Sequence, residues 1–216
     1  MQLTTIPLDK TGKFSKLILD YVNNPDELSE FIAEKVTLEN FKKKLIEKKF
    51  SKEKRELLVK QLIVQYKLTG IEVHSNVSLL LNDNTYTVTT GHQLCLLGGP
   101  QYFIHKIIST IKLSMQLKEA FPENNFVPVF WLASEDHDFE EINDVKFFKK
   151  NLKIDAHYTG PVGRLNANIF SNVIQELNEI LSDSKNETEI KDLFTRAYKS
   201  GSLSKATSTW INELFK

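Results

Sequence analysis

The densest chemistry in the chain is Ser134-Glu135-Asp136-His137-Asp138-Phe139-Glu140-Glu141, five carboxylates and one imidazole within eight residues. This run follows directly on the apolar stretch Phe126–Ala133, so the charges should gather at a strand end where water is partly excluded. Carboxylates held that close resist simultaneous ionisation, which favours perturbed titration. His137 can act as general acid or base, and Asp136 or Asp138 can orient it. Ser134, Glu135 and Asp138 are then candidates for ligand contact. The alternative is that a carboxylate here caps the next helix through its free N–H groups. A second group is Thr89-Thr90-Gly91-His92-Gln93. There Gly91 would let a ligand lie against the backbone, while Thr90, His92 and Gln93 offer donors and acceptors. Gly98-Gly99-Pro100 leads on into a helix whose N-terminus favours anions. His137, Asp136, Asp138 and His92 could also take a divalent ion. Their spacing matches no closed site, and no His-x-x-x-His pair or cysteine cluster is present, so no intrinsic metal is expected. Mg²⁺ arriving with a nucleotide needs only one or two carboxylates.

The flanking elements explain why these groups should meet. Tyr86–Thr90 is β-branched and aromatic, a strand. Residues 101–121 carry Ile104, Ile107, Ile108, Ile111 and Met115 at helical spacing, with Leu113 and Leu117 widening the stripe. Phe126–Ala133 is nearly all apolar, as in an interior parallel strand covered on both faces, with Pro128 near its beginning. Strand, glycine turn, helix and strand make a βαβ unit, hence a parallel, Rossmann-like α/β sheet. Ligands bind such sheets beyond the carboxyl ends of the strands, here the two charged segments. His105 and Lys106, in the first turns of the 101–121 helix, could face that site. Neither a dinucleotide fingerprint nor a P-loop is present.

Before this unit, residues 14–70 read as helices. One stripe is Phe14, Leu17, Ile18 and Tyr21, and another is Leu28, Phe31 and Ile32. The Lys42–Lys54 cluster reads as a solvated helix face. After it come short strands and turns over 142–165, then helices over 169–181, 188–199 and 203–215. The expected division is a helical region, 1–82, packed on a core, 83–216. A sheet of two or three strands is small for this architecture, so the core is expected to be incomplete at its carboxyl end.

The 216 residues are 41% hydrophobic and 26% charged, an ordinary globular balance. Basic and acidic residues number 28 each, so the basic excess of a generic nucleic-acid binder is absent. Cys95 is the only cysteine, which excludes an intrachain disulfide and fits a reducing, cytoplasmic setting. It stands among leucines, as an inert core thiol would. No run of eighteen apolar residues suggests a membrane span, and the first residues do not form a signal peptide.

Thr-Gly-His-Gln-x₅-Gly-Pro-x-Tyr, ending at Tyr102, then Pro128–Asn143, then Gly160-Pro-Val-Gly-Arg164, resembles the bacillithiol-synthesis cysteine-adding enzyme family. The resemblance runs in order through the whole chain, and Gly99 and Tyr102 join the candidate binding residues through it. It implies a core like that of class I synthetases and the attachment of L-cysteine to glucosaminyl-malate, the last step in making a low-molecular-weight thiol. ATP with Mg²⁺ is the implied cofactor because an amide must form. Family members are expected to continue beyond Lys216 with further strands and a coiled coil that makes them homodimers. This chain departs from the family pattern at three points. His92 stands where the family carries glutamine, His105 where it carries a second tyrosine, and Cys95 where it carries a small residue or proline. Two rivals remain: a synthetase-like nucleotidyl-transferring enzyme with another acceptor, and a non-catalytic binding fragment.

Overall fold

The computed structural model describes residues 4–23, 25–147, 150–181, 186–199 and 201–215. The chain forms two compact units, residues 1–49 and 50–216.

The first unit holds α1 (Lys16–Asn23) and α2 (Leu38–Glu47), and the side chain of Thr37 caps α2. The stripe Leu28, Phe31, Ile32 forms no α-helix. Pro25–Leu28 is a single 3₁₀ turn, and Phe31 is 85% exposed. A segment that short repays the cost of helix nucleation only by burying an apolar face, and none of its described residues is buried.

The second unit opens with α3 (Lys52–Thr69), capped by Ser51 and ended by Gly70 in the left-handed conformation; residues 48–51 before it are not helical. Arg55 on α3 is buried and donates to the carbonyls of Leu80 (3.0 Å), Asp83 (3.1 Å) and Thr85 (3.2 Å). It thereby binds α3 and the short α4 (Asn76–Leu79) to the start of β1 (Thr85–His92). Then follow α5 (Tyr102–Ala120) and β2 (Asn125–Leu132), which pairs with β1 in parallel, Thr85 opposite Asn125 and His92 opposite Leu132. This is the Rossmann-like βαβ unit expected.

Three details differ from the sequence pattern. β2 is not covered on both faces: Val127 is its one buried residue and Trp131 is 68% exposed. Pro128 sits at the middle of β2, opposite Val88. It is tolerated because, among the described residues, β2 has one strand neighbour and its other edge needs no donor. And α5 buries Phe103, Ile107, Thr110, Ser114 and Leu117, leaving Ile108 and Met115 exposed. The inner face is set by one aromatic and two hydroxyls bonded back to the helix (Thr110 to Lys106 O, Ser114 to Thr110 O), which a hydrophobic stripe does not register.

Beyond β2 come α6 (Phe139–Ile142), the antiparallel pair β3 (Asp144–Phe147) and β4 (Lys150–Lys153), and α7 (Ser171–Ile180), α8 (Glu187–Tyr198) and α9 (Leu203–Leu214). The main core lies here, with Trp210 of α9 against Phe103 (ring centroids 5.4 Å apart) and Phe194 (5.9 Å). No helix among the described residues is long and apolar enough to cross a membrane.

Candidate functional site

The parallel register sets the two charged segments side by side. Gly91 lies opposite Trp131 and His92 opposite Leu132, and Ala133 N–H donates to His92 O across the strand ends (3.3 Å). Gln93 then reaches over, its Nε2 donating to a carboxylate oxygen of Glu141 at 3.0 Å. One end of the sheet therefore carries residues 90–93 and 134–141 together, as the βαβ reading requires.

The individual roles are more divided. His92 is buried. Its ring packs 5.2 Å from that of Tyr102 and 5.3 Å from that of Phe103, and Nδ1 lies 3.3 Å from Gln93 O and 3.6 Å from Cys95 Sγ. Burial lowers its pKa and the Lys106 charge adds to this, while the Gln93 carbonyl and Glu141 oppose it. Gly91 is filled from the neighbouring strand: a Cβ there would lie 2.9 Å from both Cβ and O of Trp131. Gly99, at φ +53°, packs on Cys95, whose Cβ would stand 2.5 Å from a Cβ at position 99. Cys95 is buried, and that burial pushes its thiol up to about 11, the behaviour of an inert core thiol.

Thr90 and Tyr102 line an open cleft of about 380 Å³ between β1 and the outer side of α5, together with His105, Lys106 and Ser109. Lys106 is the residue the motifs underplayed. It is half-buried, its Nζ donates to Gly91 O at the strand end, and it has no carboxylate partner among the described residues. Its signal was its spacing, since Tyr102, Lys106 and Ser109 stand at i, i+4 and i+7 on one helix face.

The acidic loop is more open than its position after an apolar strand suggested. Glu135, His137 and Asp138 are exposed and Asp136 is half-buried. Asp136 Oδ1 accepts from Asp138 N–H (2.9 Å), and Asp138 Oδ1 accepts from Glu141 N–H (3.1 Å). Asp138 thus caps α6, and neither aspartate bonds the His137 ring among the described residues. Ser134 is half-buried and its carbonyl accepts from Gly163 N–H, while Glu135 pairs with Arg164 at 3.2 Å on the surface. Among the described residues no three His, Cys, Asp or Glu side chains converge as a metal site.

The model of the N-terminal Rossmann-like domain of the bacillithiol biosynthesis protein BshC matches residues 1–216. A protein of Flavobacterium psychrophilum named "Putative cysteine ligase BshC" is 42% identical over 223 aligned residues, covering 100% of this chain and 42% of its own length. One of Flavobacterium johnsoniae with the same name is 42% identical at the same coverage, and one of Cytophaga hutchinsonii is 37% identical over 97% of the chain and 39% of its own length. The chain spans about 42% of the length of the first two relatives. With a family model matched from end to end and a βαβ unit that sets the first two of the three family segments at one sheet end, the chain belongs to the BshC family of bacillithiol biosynthesis, as its N-terminal Rossmann-like domain.

Proposed function

We propose that this chain provides the sheet-end part of a ligase site that joins L-cysteine to glucosaminyl-malate in the final step of bacillithiol synthesis. The observation that carries the reading is the junction of the two segments at one sheet end, closed by the Gln93–Glu141 hydrogen bond. In amide formation the attacking amine loses a proton. His137, exposed beside half-buried Asp136, is the group suited to take it, with Asp136 as its charge partner once a ligand draws them together. Thr90, Gln93, Tyr102 and Ser134 supply neutral polar contacts around the ligand, and Glu135 and Asp138 frame it with charge. Gly91, His92 and Gly99 contribute by packing: they hold the strand end and the turn behind it.

ATP with Mg²⁺ would supply the activation of the cysteine carboxylate. The donor set suits the modest demand of a nucleotide-borne Mg²⁺, because Asp136 and Asp138 each keep one carboxylate oxygen without a hydrogen bond among the described residues. Small-molecule partners, a cytoplasmic setting, homodimerisation in the longer relatives and no role for nucleic acid or membrane belong to the same reading.

The exposure of the loop favours a second reading, a domain that binds the substrates without turning them over, since acid–base groups act best where water is excluded. A synthetase-like nucleotidyl transferase with a different acceptor is the third. Titration with cysteine, ATP and glucosaminyl-malate, followed by a turnover assay, separates them. Binding of all three with amide formation supports the ligase. Binding without product supports the second reading, and adenylate formation without use of glucosaminyl-malate supports the third. If cysteine and glucosaminyl-malate both fail to bind, the proposal falls.

A further inference from the structure

The acidic loop does not hold itself in place. Its own hydrogen bonds are short-range, such as Ser134 N–H to Leu132 O and Asp136 N–H to Ala133 O. Among the described residues, the only backbone bonds from 134–138 to a distant part of the chain come from 162–163. Val162 N–H donates to Asp136 O and Gly163 N–H to Ser134 O, both at 2.8 Å. Arg164 adds its surface ion pair to Glu135, so 162–164 grips 134–136 residue by residue. The gripping segment is itself fixed to the start of α9, where Leu203 N–H donates to Leu165 O (2.8 Å) and Ala167 N–H to Gly201 O (2.9 Å).

Gly163 makes the grip possible. A Cβ there would lie 2.6 Å from both Cβ and O of Ser134 and 2.3 Å from Ser204 Oγ, closer than Cβ atoms approach any neighbour. Its φ is outside the left-handed region, so backbone conformation does not call for glycine here; close approach does. The site loop lies directly on the bare backbone of residue 163.

We propose that Gly163 is a positioning residue for the ligand site, fixing Asp136 and His137 at the strand end through its N–H and its missing side chain. This rests on the assignment of Asp136 and His137 to ligand contact. The exposed His137 ring has no hydrogen bond among the described residues, and half-buried Asp136 accepts only from Asp138 N–H within the loop, so a loop pinned at two backbone carbonyls presents them in one arrangement.

The test uses the ¹⁵N-labelled full chain with Gly163→Ala. The amides of 134–138 and the His137 ring should shift, hydrogen exchange at 162 and 163 should quicken roughly tenfold, the scale of one lost hydrogen bond, and the β1 and β2 amides should stay put. L-Cysteine and L-malate are then titrated into both proteins. Loop shifts seen in wild type should need at least roughly tenfold more ligand in the variant. Should Gly163→Ala fail to fold, Gly163→Ala/Ser204→Ala removes the nearest obstruction outside the loop and is measured instead. An unmoved loop with unchanged exchange at 162 and 163 overturns the proposal, as does a displaced loop that binds both ligands as wild type does. A wild-type loop that responds to neither compound sinks the ligand assignment instead, and exchange at 162–163 still decides whether Gly163 holds the loop.

Discussion

Gly91→Ala tests what the glycine at the end of β1 is for. The sequence suggested room for a ligand, whereas the structure puts Trp131 there. Side chains on adjacent strands normally keep Cβ atoms about 4.5–5.5 Å apart, but a Cβ at 91 would meet Trp131 Cβ and O at 2.9 Å. Overpacking of this kind costs about 1–3 kcal/mol. Removing a glycine from a strand returns about 0.5–1 kcal/mol. The net runs from about zero to a loss of about 2.5 kcal/mol, and at 2–4 °C per kcal/mol for a unit of this size the melting temperature should fall by up to roughly 10 °C. Calorimetry measures that fall. Tryptophan emission reports the cause, because Trp131 is 68% exposed and Trp210 is 1% exposed, so displacement of β2 changes the exposed component. A melting temperature above that of wild type, with unchanged emission, would refute the argument. It would return Gly91 to the role of ligand platform. A bulkier variant such as Gly91→Val would lose ligand binding through displacement of β2, so such a loss does not by itself place the ligand at residue 91.

Other outcomes follow from the same geometry. Arg55→Met strands three carbonyls that the guanidinium now satisfies and should destabilise the second unit by about 3–5 kcal/mol in urea melts, the scale of a broken buried charged network. His92 has a folded pKa below its ordinary 6.5, so the unfolded chain binds the extra proton first. Stability should therefore drop as pH falls from about 6.5 through the folded value, and His92→Gln should flatten that part of the stability–pH curve. Cys95 should react with thiol reagents far more slowly than free cysteine at pH 8, and at the ordinary rate once denaturant is added. Asp136→Asn and His137→Ala, placed in a longer relative that turns over, should cut turnover by roughly 10²-fold or more with little change in melting temperature. Asp138→Ala should instead cost about 1 kcal/mol of stability, because Asp138 caps α6.

The βαβ unit was legible because a β-branched stretch from Tyr86, a helical apolar stripe over 101–121 and an apolar run from Phe126 follow one another, with a glycine turn at the first junction. Patterning could not say which glycines serve a ligand. Gly91, Gly99 and Gly163 read alike in the sequence, yet each one's missing Cβ is taken up by a different neighbour: Trp131, Cys95 and Ser134. Nor could it separate the two histidines. His92 and His137 both follow strands, but the aromatic pair Tyr102 and Phe103, ten and eleven residues on from His92, draws only His92 inward. The buried Arg55 sat inside a lysine-rich stretch and was indistinguishable from its solvated neighbours, because what buries it is a set of carbonyls 25 to 30 residues away.

The turn ahead of α5 has a consequence for the order in which the molecule matures. Leu97 adopts φ +53° between a core leucine and two glycines, a conformation that costs a non-glycine residue on the order of 1 kcal/mol. What holds it is the hydroxyl of Tyr198, which accepts Leu97 N–H at 2.9 Å from 101 residues further along the chain, while the Trp210 ring closes over Gly98. On a ribosome adding roughly 5–20 residues per second, β1, α5 and β2 are all complete roughly 3–13 s before Tyr198 is added. During that interval the sheet can pair, but the turn that aims α5 has nothing to fasten it. The nascent domain therefore passes through a stage with its strands in register and the turn at their carboxyl end unset, and synthesis of α8 and α9 completes the end of the sheet that was made first.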